Sequence, residues 1–99
     1  MIHHVVAFTW AKDLPESHLE RVAAGLEELQ KHLAHVIVSY HYGPDAGVVI
    51  NGNADYGIVA TFATEDDWRV YDTDPQHNIV RSELFKPYIS ARTAIQFRS

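Results

Sequence analysis

The chain has no cysteine and a single methionine in 99 residues. Disulfides, thiolate metal sites and a cysteine nucleophile are therefore all excluded. Five glycines and four prolines are too few for a low-complexity tract, and no segment combines low hydrophobicity with high charge, so order is expected from end to end. Positive charge is also scarce. Eight Lys and Arg stand against thirteen Asp and Glu, a formal charge of −5 that repels phosphate backbones and anionic lipid surfaces. Nucleic acid and membrane are thus not expected as partners. The opening "MIHHVVAFTWAKD" lacks a basic leader, and its apolar run is far shorter than the roughly 18 residues of a membrane span. A cytoplasmic protein is the expectation.

What the chain does have is apolar material for one core: 46% hydrophobic and 11% aromatic residues. Its length is that of a single domain over 1–99, with no room for a second core. Seven histidines add a reserve of charge below about pH 6.

Residues 2–10, "IHHVVAFTW", are β-branched and aromatic and predict a strand, with Ile2, His4, Val6, Phe8 and Trp10 on one face. Asp13, Pro15 and Glu16 form a capping-box pattern that opens a helix over 14–34. Its apolar stripe is Leu19, Val22, Leu26, Leu29 and Leu33, with Glu27 and Lys31 paired on the outer side. The glycine of "AAG", Ala23 to Gly25, points to close packing of that helix on a sheet. Strands follow at 35–43 and 56–62, separated by a loop rich in Asn, Gly and Asp. Thr64 with Asp67 caps a helix through Trp68, Val70 and Tyr71, Asp74-Pro75 restarts it, and "YISARTAIQF" is the last strand.

This order, β-α-β then β-α-β, predicts an α+β, ferredoxin-like fold: a four-stranded antiparallel sheet with two helices on one face. Both faces of the strands are apolar, as Val59 against Ile58 and Phe62, and Val36 and Val38 against Ile37, show by alternation. The face without helices needs a cover, and a homodimer through that sheet face is the expected solution. One face of Tyr40, His41 and Tyr42 should meet the partner.

Three stretches, "IHHVVAFTW", "DYGIVATFATEDDWRVYDTDPQH" and "LFKPYISARTAIQF", together resemble the stress-responsive A/B barrel (Dabb) family of dimeric α+β barrels. The resemblance spans nearly the whole chain, and its most specific part runs from Tyr71 to His77. It implies a site. A plant polyketide cyclase of this family performs an aldol condensation without a cofactor through a Tyr/His pair, which Tyr71 and His77 match, while His4 matches a further histidine. On that resemblance the candidate catalytic residues are His77, Tyr71 and His4, with no cofactor and a small-molecule ligand. The chemistry is coherent, because a near-neutral imidazole removes a proton activated by carbonyls and a tyrosine hydroxyl holds the enolate. The cyclase's other pocket histidine falls at Gly57 here, and its helix-one tyrosine near Ala24 to Leu26.

Simpler roles stand beside these. His77 sits at the third position after a cap and can merely fix that turn, Tyr71 can simply pack, and His4 can be a hydrogen-bonded core histidine. No HxxxH or HExxH pair exists, so a metal site is not expected. The alternatives to a small-molecule catalyst are a non-catalytic interaction dimer and a cofactor-free oxygenase.

Overall fold

A computed structural model describes residues 1–99. Strand β1, Ile2–Trp10, forms because its side chains alternate cleanly: Ile2, His4, Val6 and Phe8 are buried and the residues between them are half-buried. It lies inside the sheet, between β3 (Tyr56–Phe62) and the last strand, β4 (Ile89–Arg98), while β2 (Ile37–Pro44) pairs with the far side of β3. The order β2-β3-β1-β4, antiparallel at every pair, is the ferredoxin-like arrangement. Register sets the faces. Val6 stands opposite Ile58 on one side and Ala94 on the other, and His4 opposite Ala60 and Gln96.

The first helix, α1, spans His18–His32, shorter than the 14–34 expected. Asp13 and Ser17 both hold φ near 63°, in the left-handed region, so the chain turns twice where a continuous helix would need right-handed residues. No capping box forms, and Ser17 occupies the cap without a side-chain bond. The inward stripe shifts accordingly to His18, Val22, Leu26 and Leu29, and Leu19 lies outside it, 40% exposed. His18 is what draws the start inward. Its ring packs against Trp10 and Tyr88 at centroid distances of 5.5 and 4.2 Å, and its Nε2–H donates to the Leu84 carbonyl at 2.9 Å. Lys31 lies 3.5 Å from Glu27, as the i, i+4 spacing predicts.

The second helical segment has three pieces where one helix with a restart was expected. Helix α2, Glu65–Thr73, is capped by Thr64, whose hydroxyl accepts the Asp67 N–H at 3.1 Å. Helix α3, Pro75–Val80, is capped by Asp74, whose carboxylate accepts the His77 N–H at 3.1 Å. It runs on into a π-helical turn, Arg81–Phe85, closed by the Lys86 N–H on the Arg81 carbonyl at 2.9 Å. Gly25 faces this turn and not the sheet: a Cβ there would stand 2.7 Å from Leu84 Cδ1, the movable end of a side chain.

Strands β2 and β4 depart from a simple inside-outside pattern. In β2, Tyr40 and Tyr42 turn inward opposite Ala60 and Ile58, leaving His41 outward beside Val59. A register shift between Ile37 and Ser39 leaves Val38 exposed while Val36 is buried. In β4, the register places Arg92, Ala94 and Gln96 opposite the inward Phe8, Val6 and His4. Past Ile89, which packs on the core, its large apolar residues Ile95 and Phe97 face outward and are about half exposed. Beyond its first residue, edge strand β4 thus has its long polar side chains on the core side and its large apolar ones on the other.

Candidate functional site

The break between α2 and α3 builds the site. Proline at position 75 has no N–H, so the Tyr71 carbonyl, four residues earlier, is deprived of its ordinary helical donor and keeps only the Asp74 N–H at 3.3 Å. The restart swings His77 back over that carbonyl. Its Nδ1 lies 2.7 Å from the Tyr71 oxygen, and the two rings stack with centroids 4.0 Å apart. A carbonyl only accepts, so Nδ1 carries the proton and Nε2 presents a lone pair.

His4 has the opposite tautomer. The Gln96 amide NH2 on the neighbouring strand donates to His4 Nδ1 at 2.7 Å, which leaves the proton on Nε2. Both rings are 7% exposed and both line a cavity of about 90 Å³ between the inner sheet face and the helical layer. Burial lowers each imidazole's pKa to about 4. The positive charge of Arg92 adds to the effect at His4, and that of Arg81 at His77. Both are neutral at pH 7.

Tyr71 is also in the cavity wall, and the structure therefore brings all three predicted residues together. Its hydroxyl lies 2.8 Å from the Tyr40 hydroxyl. Burial pushes the Tyr71 pKa up to about 12, opposed by the Tyr40 hydrogen bond and the Arg81 charge. The Tyr40 hydroxyl is raised too, by burial and then by Tyr71. Of the two further positions carried by resemblance, one lies away from the cavity and one lines it. Gly57 stands opposite Ala7 on the outward face of β3, so a side chain there would leave the cavity untouched. Leu26, near the position of the helix-one tyrosine, lines the cavity with an apolar side chain.

The remaining histidines lie elsewhere. His3 faces outward between Thr61 and Ser99, at 3.0 and 2.6 Å, and His32 pairs with the Asp74 carboxylate at 3.0 Å on the surface. Sequence reasoning missed five residues at this site: Tyr40, Arg81, Lys86, Arg92 and Gln96. The polar alternation of Arg92 and Gln96 about Ala94 was visible, but which face of β4 it occupied depended on the pairing with β1.

Sheet order, one helical layer and a cavity between them define a ferredoxin-like α+β protein. The profile of the stress-responsive A/B barrel domain, Dabb, matches residues 2–99. The chain belongs to the Dabb family. Among solved structures it is similar to a dimeric ferredoxin-like protein of unknown function from Thermobifida fusca, with 29% identity over 99% of this chain and 90% of that one and a TM-score of 0.88. A Dabb family protein from Mesorhizobium loti has 19% identity over 99% of this chain and 95% of that one, with a TM-score of 0.71. The hydroxynitrile lyase of Passiflora edulis has 17% identity over 97% and 90%, with a TM-score of 0.80. No curated protein matches significantly.

Proposed function

We propose that this protein is a homodimer that performs aldol-type acid/base chemistry on a small carbonyl compound, with no cofactor taking part. The observation that carries this reading is the pair of opposite tautomers on one cavity, a bare His77 Nε2 and a protonated His4 Nε2. His77 Nε2 accepts the proton from the carbon next to a carbonyl, the C–H electron pair forms the C=C bond, and the C=O π pair moves onto the carbonyl oxygen. His4 Nε2–H donates to that oxygen as its charge grows. Tyr40, which lies outside the cavity wall, bonds the Tyr71 hydroxyl, and with Tyr40 as the donor of that bond the Tyr71 O–H is left for the same oxygen. The enolate carbon then attacks a second carbonyl carbon, whose C=O π pair moves onto its oxygen and takes the proton from His77, or the enolate takes that proton back.

The cavity limits the substrate. About 90 Å³ equals roughly three water molecules' share of liquid volume. That space takes the carbonyl end of a molecule, and the opening leaves room for the rest to extend outward.

The dimer rests on the outward sheet face. Val38, Val59, Ile95 and Phe97 are each 40% exposed or more there, and the T. fusca relative is described as dimeric. Analytical ultracentrifugation at micromolar concentration should show a dimer, with Ile95→Glu shifting it to monomer. The catalytic reading is tested by proton NMR in D2O, following deuterium uptake beside the carbonyl of small ketones. Uptake above the buffer rate should vanish in His77→Gln with the circular dichroism spectrum preserved. Undiminished exchange in that variant removes His77 from the chemistry.

A further inference from the structure

The chain carries eight Lys and Arg and a formal charge of −5, yet Arg81, Lys86 and Arg92 all border the one small cavity that holds His4 and His77. No carboxylate lines it. These three cations come from different places. Arg81 opens the π-helical turn, Lys86 follows that turn, and Arg92 rises from the inner face of β4 opposite Phe8.

Their bonding separates them into two kinds. Arg81 is held: its guanidinium donates to the Asp72 carboxylate at 3.1 Å, to the Asp72 carbonyl, and to the Asn78 side chain at 2.7 Å. Its position is fixed and its charge partly answered. Lys86 and Arg92 have no carboxylate in ion-pair range, whereas Lys31, Arg69, Arg81 and Arg98 all do. Their side chains also make no hydrogen bond within the chain.

Arg92 is solvent-exposed, but its strand position is on the cavity side of the sheet. The inner face of a sheet covered by helices is where apolar side chains belong, and β1 and β3 obey this with Val6, Phe8, Ile58 and Phe62. Strand β4 places an arginine there, and its charge is felt at His4. An exposed arginine with no partner inside the chain, at the rim of a cavity that no carboxylate lines, is free to meet an anionic ligand. An unpaired guanidinium and an ammonium converging on one opening recognise a carboxylate, the guanidinium in two-pronged fashion.

We infer that the cavity takes a small carboxylate anion, with an apolar body among Val6, Phe8, Ile58 and Phe85 and its carboxylate held at the mouth by Arg92 and Lys86. The inference rests on the proposed acid/base reading for what happens to such a molecule, and it names the substrate class: a short oxo-carboxylate. The cavity sets the size of the enclosed part at about four or five non-hydrogen atoms, at close-packed density. The carboxylate fixes one end of the molecule, so that its carbonyl meets the two histidines at the other.

The test is a pair of isosteres differing in charge alone, 3-methylbutanoate and 3-methylbutanamide, titrated by ligand-observed NMR against the full chain at pH 7. The carboxylate should bind at least tenfold more tightly than the amide. Arg92→Gln with Lys86→Gln should abolish that preference, with carboxylate affinity falling to the level of the amide. Lys12→Gln with Arg21→Gln, which removes two other cations without ion pairs, should leave it intact. Equal binding of the two probes overturns the inference, as does a preference that survives the Arg92/Lys86 double variant, or the absence of binding by both probes. In His77→Gln the preference should persist, so a failure of the catalytic reading and a failure of this one give different results.

Discussion

Acidification from pH 7 to 5 should destabilise this protein through two histidines in particular. An unfolded imidazole titrates near 6.5, whereas His4 and His77 are held near 4 by burial, with Arg92 and Arg81 adding to the effect. Between those values the unfolded chain binds protons that the folded chain does not, so stability falls as pH falls. Each histidine contributes a loss on the order of 2 kcal/mol between pH 7 and 5, and on the order of 3 kcal/mol once pH is below 4. Against a typical total of 5–15 kcal/mol, the pair is a large fraction. The window is favourable, because Asp74 and Glu65 have pKa values lowered by their partners in the fold and begin to lose stability only as pH approaches the unfolded carboxylate range. The assay is urea denaturation followed by tryptophan fluorescence at half-unit pH steps and constant protein concentration. The wild type should lose about 3 to 4 kcal/mol over that window from these two groups, and His4→Gln with His77→Gln should remove most of that slope. A double variant with an unchanged slope refutes the argument, since both groups would then ionise as easily folded as unfolded.

Two further outcomes follow from individual contacts. Tyr40→Phe and Tyr71→Phe each leave a buried hydroxyl without its partner and should each cost about 1–3 kcal/mol, while the double variant should cost less than their sum. Additive losses in urea titrations would show that the hydroxyls are not coupled. Asp74→Ala removes the acceptor of the His77 N–H and should cost about 1 kcal/mol. Asp74→Asn should restore most of it, and thermal melts separate the two.

The legible part of the fold was the part written in local patterns. Thr64 and Asp74 named their helix starts correctly because each cap needs only a side chain and an N–H three residues on. Strand β3 was read to the residue, since Tyr56–Phe62 is β-branched, aromatic and flanked by turn formers. Helix α1 was misread at its start because Asp13, Pro15 and Glu16 satisfy a capping pattern whose fate is decided by distant groups. The aromatic slot of Trp10 and Tyr88, with the Leu84 carbonyl, captures His18 and sets the phase. That competition is tertiary, and no window of the sequence displays it.

The candidate site divides in the same way. Tyr71 and His77 bracket a local break, so their proximity followed from the capping chemistry of Asp74-Pro75. Arg92 and Gln96 reach the site through strand pairing, and their meaning lies in the register between β1 and β4. The charge of the cavity was therefore invisible while its bases were not.

The proline at the helix break has a consequence for how this site can vary. The tautomer of His77 is dictated by a main-chain oxygen, which every amino acid at position 71 would supply, so the anchor survives any side-chain exchange there. What guards it is the missing hydrogen at position 75. A Pro75→Ala change would add a rival donor for that oxygen without touching a single wall of the cavity. The protonation pattern of the site is thus inherited through a residue that makes no contact with whatever the cavity holds.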